Sequence, residues 1–582
     1  MTKNIKQVAA GAAATLMLTC IGFACKDKFL DIPATGQLGA SQLASKKGIE
    51  GAVISVYAML NGRSERLGSS SNWVYGSIRG GDANKGTDPG DFSSINPIQR
   101  FETIPTGDVA GAWRVKYEGI SRANNVLRLL ASAGPDVTDA DKARISAEAK
   151  FLRGFYYFEL KRLYNNTPYV DESVDYAAGI EKVKNDQDLW PKIVADLQAA
   201  YTNLPETQDA AGRANKWAAA ALLAKVYMYQ QKYTEAKTLY DLIIANGKTA
   251  NGKKYALVAK YADLYKASND NNEESVFAIQ AATNTGDANN ANPEFDLNYP
   301  YNTGTNGPAG CCGFFQPSFE LVNSFRTNAN GLPLLDGSYN AAGNEVKNDQ
   351  GILSSAAFTP DAGNLDPRLD HSVGRRGIPY LDWQDHPGYD WIRKQDYGGP
   401  YTPKKYVYYR ADQGTYQQSN GWHPGYTAMN YTIIRYADVL LMAAEAEVEA
   451  GSLTKALEYV NMVRKRAANP AGYVTKNNAP AAKYVISEYP ASAFASKEAA
   501  RNAVRFERKL ELSGEGHRFF DLLRWGVVEA SVNAYLSYEG QKLPVALGSA
   551  RFTPNQDEYL PIPQAQIDLQ GKDVLKQNPG YQ

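Results

Sequence analysis

The stretch from Arg501 to Gly526 most constrains the fold, because charged and apolar side chains are interleaved in it too closely for either kind to stay at the surface. Ala503, Phe506 and Leu510 recur at helical spacing, and Ser513-Gly514-Glu515-Gly516 predicts a break before a second helix. We expect a partly buried ion-pair network that fixes how these helices dock, formed by Arg505, Glu507, Arg508, Glu511, Arg518, Asp521 and Arg524. An acid–base role for His517 is the alternative.

Hydrophobic periodicity predicts further helices along most of the chain. They cover Ser41–Asn61, Gly111–Ala133, Asp139–Tyr164, Leu189–Leu204, Asn215–Asn246, Tyr431–Ala467 and Lys497–Val528. Two segments, 224–240 and 446–460, space small and aromatic residues as tetratricopeptide hairpins do. They are too few for a regular solenoid. The fold class predicted is therefore mostly α, a tetratricopeptide-like scaffold with long loop-rich insertions that carry a few short strands.

Charge and motif content exclude several classes of function. Lys+Arg and Asp+Glu are both 62, so the chain lacks the basic field that nucleic acid requires. The four histidines do not have metal-ligand spacing, and no dinucleotide or phosphate-loop motif is complete. We expect no cofactor and no metal.

The N-terminus is typical of an exported lipoprotein. Lys3 and Lys6 precede an apolar run too short for a secure membrane span, which predicts a signal peptide over residues 1–24. Gly22-Phe23-Ala24 before Cys25 is similar to a lipobox, so Cys25 is the predicted lipidation site, with Cys20 a weaker candidate. Residues 25–40 would be the tether.

Several separate blocks carry a family resemblance. They are Lys26–Asp31, Ile120–Asn124, Glu148–Gly154, Ile434–Leu441, the run Glu515-Gly516-His517-Arg518-Phe519-Phe520-Asp521-Leu522 with Arg524-Trp525, Tyr559–Pro563 and Asn578–Tyr581. Together they resemble the SusD/RagB family, the outer-membrane nutrient-binding lipoproteins of Bacteroidetes. The resemblance spans the mature chain and implies one SusD-like domain over 41–582, with its scaffold at about 41–62, 111–270 and 431–530.

The resemblance also implies a function. Such a protein is lipid-anchored at the cell surface in the outer membrane. It captures oligosaccharide without catalysis and delivers it to a partner SusC-like TonB-dependent transporter. Uptake of a peptide or protein ligand by the same architecture is the alternative, and a glycoside hydrolase is the less favoured one, since no motif singles out a carboxylate pair.

The loop-rich regions, about 63–106 and 283–430, are where we expect the ligand. Aromatic rings suit the apolar faces of sugars, and nearby polar groups suit their hydroxyls. The predicted ligand-binding residues are Trp73, Tyr75, Asp82, Asn84, Trp383, Tyr389, Trp391 and Arg393. The alternative is that these aromatics only order the loops.

Two further features of these loops leave alternatives open. Asp82-x-Asn84-x-Gly86-x-Asp88 resembles half of a calcium loop, but Ser93 stands where the bidentate glutamate would be. Cys311 and Cys312 are either a vicinal disulfide or two free thiols.

Overall fold

The computed structural model describes residues 40–63, 65–292, 295–421 and 423–581. The predicted signal peptide, Cys25 and most of the predicted tether lie outside the described residues. The described α-helices of seven or more residues are α1 Lys46–Tyr57, α2 Ala110–Ala131, α3 Asp139–Tyr164, α4 Trp190–Asn203, α5 Lys216–Tyr229, α6 Tyr233–Asn246, α7 Tyr436–Ala450, α8 Leu453–Ala467, α9 Lys497–Glu511, α10 Arg518–Arg524, α11 Val528–Lys542 and α12 Gln564–Gln570.

Shorter elements lie mostly in the insertions. Short α-helices cover Ala40–Leu43, Ile95–Arg100, Phe319–Ser324, Leu369–Ser372, Gln395–Gly398 and Pro544–Leu547, and a π-helix covers Trp73–Ile78. Strands β1 Ala83–Gly86 and β3 Phe314–Pro317 pair antiparallel, as do β2 Ser275–Ile279 and β4 Tyr431–Arg435. Three two-residue strand pairs complete the described sheets: Val373–Gly374 with Thr402–Pro403, Pro379–Tyr380 with Gln384–Asp385, and Thr475–Lys476 with Ala479–Pro480.

Several helices of the scaffold begin at residues whose side chains cap the first helical turn. Thr138 and Asp141 form a capping box at the start of α3, while Asn215, Ser452 and Ser496 cap α5, α8 and α9. Each of these side chains accepts a backbone N–H that the first helical turn leaves without a partner. The two predicted tetratricopeptide hairpins are confirmed as α5–α6 and α7–α8.

Two parts of the predicted scaffold are wrong. Residues 431–435 form β4 rather than the start of a helix, because the β-branched run Thr432-Ile433-Ile434 pairs with β2. Residues 247–270 contain two short 3-10 turns, Tyr261–Tyr265 and Ala267–Asn269, and an isolated bridge between Lys248 and Lys254, but no α-helix. The remaining predicted blocks are confirmed, with α9 and α10 separated at the predicted break.

A buried ion-pair network joins the loop-rich regions to the scaffold. Arg435, at the end of β4, lies 2.6 Å from Glu511 and 2.7 Å from Glu515. Arg368, from the long insertion, lies 2.6 Å from Glu507 and 3.0 Å from Glu511. All these side chains are at most 3% exposed. The predicted network is confirmed for Glu507, Arg508, Glu511, Asp521 and Arg524.

The prediction is wrong for Arg505 and Arg518, which form no ion pair in the part of the chain that the structure describes. His517, the residue of the acid–base alternative, lies next to Lys225, with 3.5 Å between Nδ1 and Nζ. It is 8% exposed, and burial and the adjacent Lys225 lower its pKa to about 3. Among the described helices, none combines the length and the apolar composition that a membrane crossing needs.

Candidate ligand-binding site

The two loop-rich regions meet at Arg393. Its guanidinium forms an ion pair with Asp88, Nη2 to Oδ2 2.6 Å, and a second with Asp91. Its Nη1 also donates to the hydroxyl of Thr87 at 2.9 Å. The three charged side chains keep about a third of their surface exposed. The charged side chains of the two insertions therefore meet at this point of the surface.

Strand pairing places these residues together. Gly86 at the end of β1 lies opposite Phe314 at the start of β3, and Thr87 N–H donates to the carbonyl of Gly313 at 2.6 Å. Gly313 has no side chain, and a Cβ there would lie 3.4–3.8 Å from atoms of Tyr301, Arg393 and Thr87. Tyr301 N–H donates to the Trp391 carbonyl at 2.9 Å. Three chain segments thus converge on one exposed surface.

The ammonium group of Lys85 lies inside the loop that follows β1 and binds its carbonyl groups. Its Nζ donates to the carbonyls of Asp88 at 2.9 Å and Asp91 at 2.6 Å. Burial lowers the pKa of Lys85 to about 8. An ammonium group therefore takes the loop carbonyls that a calcium ion would require, and Asp82 and Asn84 point away from this loop, to partners in the C-terminal region.

One partly exposed aromatic ring contacts the charged centre, and two more aromatic residues lie on the same loops. The Arg393 guanidinium lies 5.2 Å from the centre of the Tyr301 ring. Tyr389, four residues before Arg393, is 39% exposed. Phe92, in the loop after β1, is partly buried and packs edge-on against Phe314. Rings next to ionised groups are the combination that can stack on a sugar face and bind its hydroxyls.

Four predicted ligand residues are instead part of the core. Trp73, Tyr75, Asp82 and Asn84 are each at most 2% exposed. Trp73 packs edge-on against Phe315, and Asp82 accepts from Gly514 N–H at 3.0 Å. The π-helix that carries Trp73 packs directly on the turn at Gly516. A Cβ on Gly76 of this helix would lie 1.9 Å from the carbonyl oxygen of Gly516, so only glycine fits there. Burial takes these four side chains out of reach of a ligand in this conformation.

The tryptophans of the second insertion differ from each other. Trp391 is 3% exposed and packs edge-on against Tyr380 and His386. Trp383 is half-buried, and its indole N–H donates to the Tyr408 carbonyl at 3.2 Å. Of the eight predicted ligand residues, Tyr389 and Arg393 are exposed, Trp383 is partly so, and the other five are buried.

The sequence interpretation named Asp88 only as part of a possible calcium loop, and it did not single out Thr87, Asp91 or Tyr301. Asp88 and Asp91 lie in the turn sequence Thr87-Asp88-Pro89-Gly90-Asp91, where an aspartate commonly accepts backbone N–H groups. Asp88 accepts from Gly90 and Asp91 at 2.8 and 2.9 Å. Although desolvation opposes it, these bonds and Arg393 lower the pKa of Asp88. The turn sequence was the available signal for the two aspartates, but no nearby residue indicated that Arg393 would be their partner.

Cys311 and Cys312 are joined as a vicinal disulfide at the base of the loop that precedes Gly313. His423 lies beside them, close enough for the three side chains to form a metal-ligand set. However, His423 Nδ1 accepts from Gly425 N–H at 2.9 Å, which places the proton of the neutral ring on Nε2. A protonated nitrogen and bonded sulfurs are poor ligands, so this group does not fit a metal.

Comparison with known proteins agrees with this architecture, a helical-repeat scaffold that presents a polar, aromatic loop surface. A family model described as the SusD family matches residues 273–581, and one described as starch-binding associating with outer membrane matches residues 64–228. The first covers more than half of the chain. The chain belongs to the SusD family.

Individual relatives are similar over nearly the whole chain. SusD-like protein P25 of Formosa agariphila is 26% identical over 543 residues, 88% of this chain and 89% of the relative. A SusD superfamily protein from Bacteroides vulgatus has a TM-score of 0.66 at 21% identity, covering 92% of this chain and 99% of that one. Surface glycan-binding protein A from Bacteroides thetaiotaomicron, solved in complex with laminarihexaose, has a TM-score of 0.62 at 23% identity, covering 92% and 99%.

Proposed function

We propose that this protein binds an oligosaccharide at the surface around Arg393, without chemical change to it. The observation that carries the proposal is the partly exposed assembly of Arg393, Asp88 and Tyr301 over the buried hydroxyl of Thr87, which two distant insertions build. Ionised groups with free lone pairs and N–H groups can bind hydroxyls, and the adjacent rings can take an apolar sugar face. The laminarihexaose complex of the Bacteroides thetaiotaomicron protein supports this class of ligand.

Binding without catalysis is consistent with the charge arrangement at this surface. Asp88 and Asp91 share one guanidinium, and the lowered pKa of Asp88 keeps it from acting as the neutral acid that glycoside hydrolysis needs. The hydroxyl of Thr87 donates to Asp91 Oδ2 at 3.0 Å, but the group contains no His to act as a general base. We propose a capture protein rather than a hydrolase.

We further propose that the protein is lipidated at Cys25, faces outward from the outer membrane and serves a TonB-dependent transporter. Two or more acyl chains anchor a protein stably, whereas one binds reversibly. The transporter contact belongs on the helical scaffold, where a groove of about 410 Å³ is lined by Trp113, Tyr117, Ile120 and Leu569. Leu569 is 71% exposed, which favours a protein partner on this face.

The test of ligand class is calorimetric titration of the purified protein with a panel of oligosaccharides and, in parallel, of peptides. We expect saturable binding of at least one oligosaccharide and its recovery unchanged after prolonged incubation. Binding of peptides alone would support the alternative ligand class, and shortened sugars after incubation would support a hydrolase. Mass spectrometry of the mature N-terminus tests lipidation, and an unmodified Cys25 would contradict it.

A further inference from the structure

Arg505 and Arg518 are two half-buried cations of the C-terminal helices that have no carboxylate within ion-pair distance among the described residues. Their neighbours are paired. Arg501 lies 2.6 Å from Glu449 and Arg524 lies 2.6 Å from Glu445. Both cations thus lie on the helices that carry the ion-pair network without taking part in it, whereas buried cations elsewhere in the fold are bound by acids or, as Lys85 is, by backbone carbonyls.

Both cations lie against one aromatic ring. Arg505 Cζ is 4.8 Å from the centre of the Trp525 ring and Arg518 Cζ is 6.0 Å from it. The two guanidinium groups are therefore within about 11 Å of each other. The indole N–H of Trp525 donates to Glu445 at 2.9 Å, which fixes the ring. Cation–π contact with a fixed ring pre-orients guanidinium groups.

The carboxylates that face this pair are already bound elsewhere. Glu445 is held by Arg524 and Trp525, and Glu449 by Lys497 and Arg501. On the side of Arg518, Lys509 holds Glu320. Asp82, the other acid on that side, accepts from Ser77 and from Gly514 N–H. Within the described residues, no carboxylate is thus left to pair with the two guanidiniums.

One N–H group of Arg505 is buried without a hydrogen-bond partner in the described part of the chain. The Nε–H of Arg505 has no acceptor among the described residues, and burial lowers the pKa of this guanidinium. A buried donor without an acceptor is unfavourable. An anionic oxygen brought from outside would satisfy it.

We propose that Arg505 and Arg518 form a binding site for an oxyanion, a carboxylate or a phosphate group, beside Trp525. The guanidinium fork matches the paired oxygens of such groups. This site is built from α9 and α10 and is separate from the loop surface around Arg393. It would serve an acidic side chain of a partner protein or a phosphate-bearing molecule.

The probes are inorganic phosphate and acetate, each titrated into the full folded protein at ionic strength held constant with chloride. The measurements are the melting temperature and the NMR shift of the Arg505 Nε–H. We expect at least one of the two anions to raise the melting temperature by a few degrees, because a ligand of the folded state stabilises it, and to move the Arg505 signal. A response to acetate alone identifies carboxylate, and one to phosphate alone identifies phosphate.

Variants assign the response to this pair. Arg505→Gln and Arg518→Gln should each abolish the anion-dependent rise, while Arg551→Gln, an equal charge change at an exposed residue, should keep it. Arg505→Lys retains the charge without the planar fork and should bind at least fivefold more weakly. If neither anion moves the Arg505 signal in the wild type, or if Arg551→Gln loses the rise as the other variants do, the site does not exist.

Discussion

Arg393 Nη2 lies 2.6 Å from Asp88 Oδ2, although the two residues belong to insertions separated by about half of the chain. The pair is held in place by the antiparallel contact of β1 with β3. Because both side chains remain about a third exposed, the pair can exchange part of its mutual contact for the hydroxyls of a ligand. It joins the two insertions into one exposed surface, where we propose that the ligand binds.

Arg393→Met should weaken oligosaccharide binding about tenfold or more, since hydrogen bonds to a charged group contribute roughly 1.5–3 kcal/mol. The melting temperature should change little, because exposed ion pairs add little stability. Calorimetry and thermal unfolding measure the two effects. Arg551→Met is the matched control, and equal affinity in all three proteins would place the ligand elsewhere.

Leu569→Glu should disrupt the association with the transporter. A charge introduced at a 71% exposed apolar residue beside the scaffold groove would have to be desolvated in an interface of roughly 2,000 Å² or more. Co-purification from mild detergent measures the complex. Leu242→Glu, at a 40% exposed leucine of α6, is the control. A barrel protein recovered equally with both variants would rule out this face.

Asp521→Ala should destabilise the fold by about 3–5 kcal/mol, because it leaves buried Arg508 with one carboxylate fewer. Arg508 lies 2.9 Å from Asp521 and 2.8 Å from Asp438, and Arg524 also contacts Asp521. Although burial opposes it, these guanidiniums lower the pKa of Asp521 to about 2. Urea unfolding measures the loss. Ligand affinity of the folded variant should be unchanged, and normal stability with lost binding would contradict the structural role.

Ionisation of buried Glu539 should lower the free energy of unfolding as the pH rises from 6 to 8. Burial raises its pKa to about 8 from an ordinary value of 4.5, so in this range the folded state keeps a proton that the unfolded chain has lost. Stability should decrease by about 1.4 kcal/mol per pH unit from this group. Nearby Asp82, whose pKa burial raises to about 6, acts mainly below this window.

The matched variants for this pH dependence are Glu539→Gln and Glu529→Gln. Glu539→Gln cannot ionise and should remove the decrease contributed by this group, with higher stability than wild type at pH 8. Glu529→Gln changes an exposed side chain of the same helix and should keep the wild-type slope. Denaturant unfolding at several pH values gives the result, and identical slopes in the wild type and Glu539→Gln would refute the assignment.

The sequence predicted the helical scaffold well, but it predicted poorly which of the proposed ligand residues reach the surface. Periodicity and caps are local, so α3 and the hairpins α5–α6 and α7–α8 could be placed from nearby residues. β4 was missed because its strand character depends on pairing with β2, far away in the chain.

The difference between local signals and long-range packing also explains which of the predicted site residues are exposed and which are buried. Trp73 and Trp391 have the composition of a stacking surface, but whether a tryptophan faces solvent is decided by long-range packing, against Phe315 for Trp73 and Tyr380 for Trp391. Arg393, predicted to bind ligand, is exposed, and its place in the ligand site stays a prediction, whereas its partners Asp88 and Asp91 depend on the β1–β3 contact. Local sequence indicated the chemistry of these loops but not their orientation.

Tyr389 and Trp391 provide the sharpest contrast within one loop. Tyr389 is 39% exposed, whereas Trp391 is 3% exposed, with Tyr380 and His386 at 5.5 and 5.3 Å between ring centres. Trp391→Ala should therefore cost about 3–5 kcal/mol in unfolding free energy, as removal of a buried aromatic does. Tyr389→Ala should leave stability within about 0.5 kcal/mol and weaken sugar binding instead, by about tenfold if the ring stacks on the ligand.

Urea unfolding and calorimetric titration of both variants separate these roles, with Tyr389→Phe as the control that keeps the ring and removes only the hydroxyl. Tyr389→Phe should retain most of the affinity if stacking dominates. If Tyr389→Ala binds the identified oligosaccharide as tightly as wild type while Arg393→Met does not, the ligand lies on the Tyr301 side of Arg393. If a folded Trp391→Ala protein loses binding with unchanged stability, the tryptophan, despite its burial, is the ligand contact and the assignment of the two residues must be reversed.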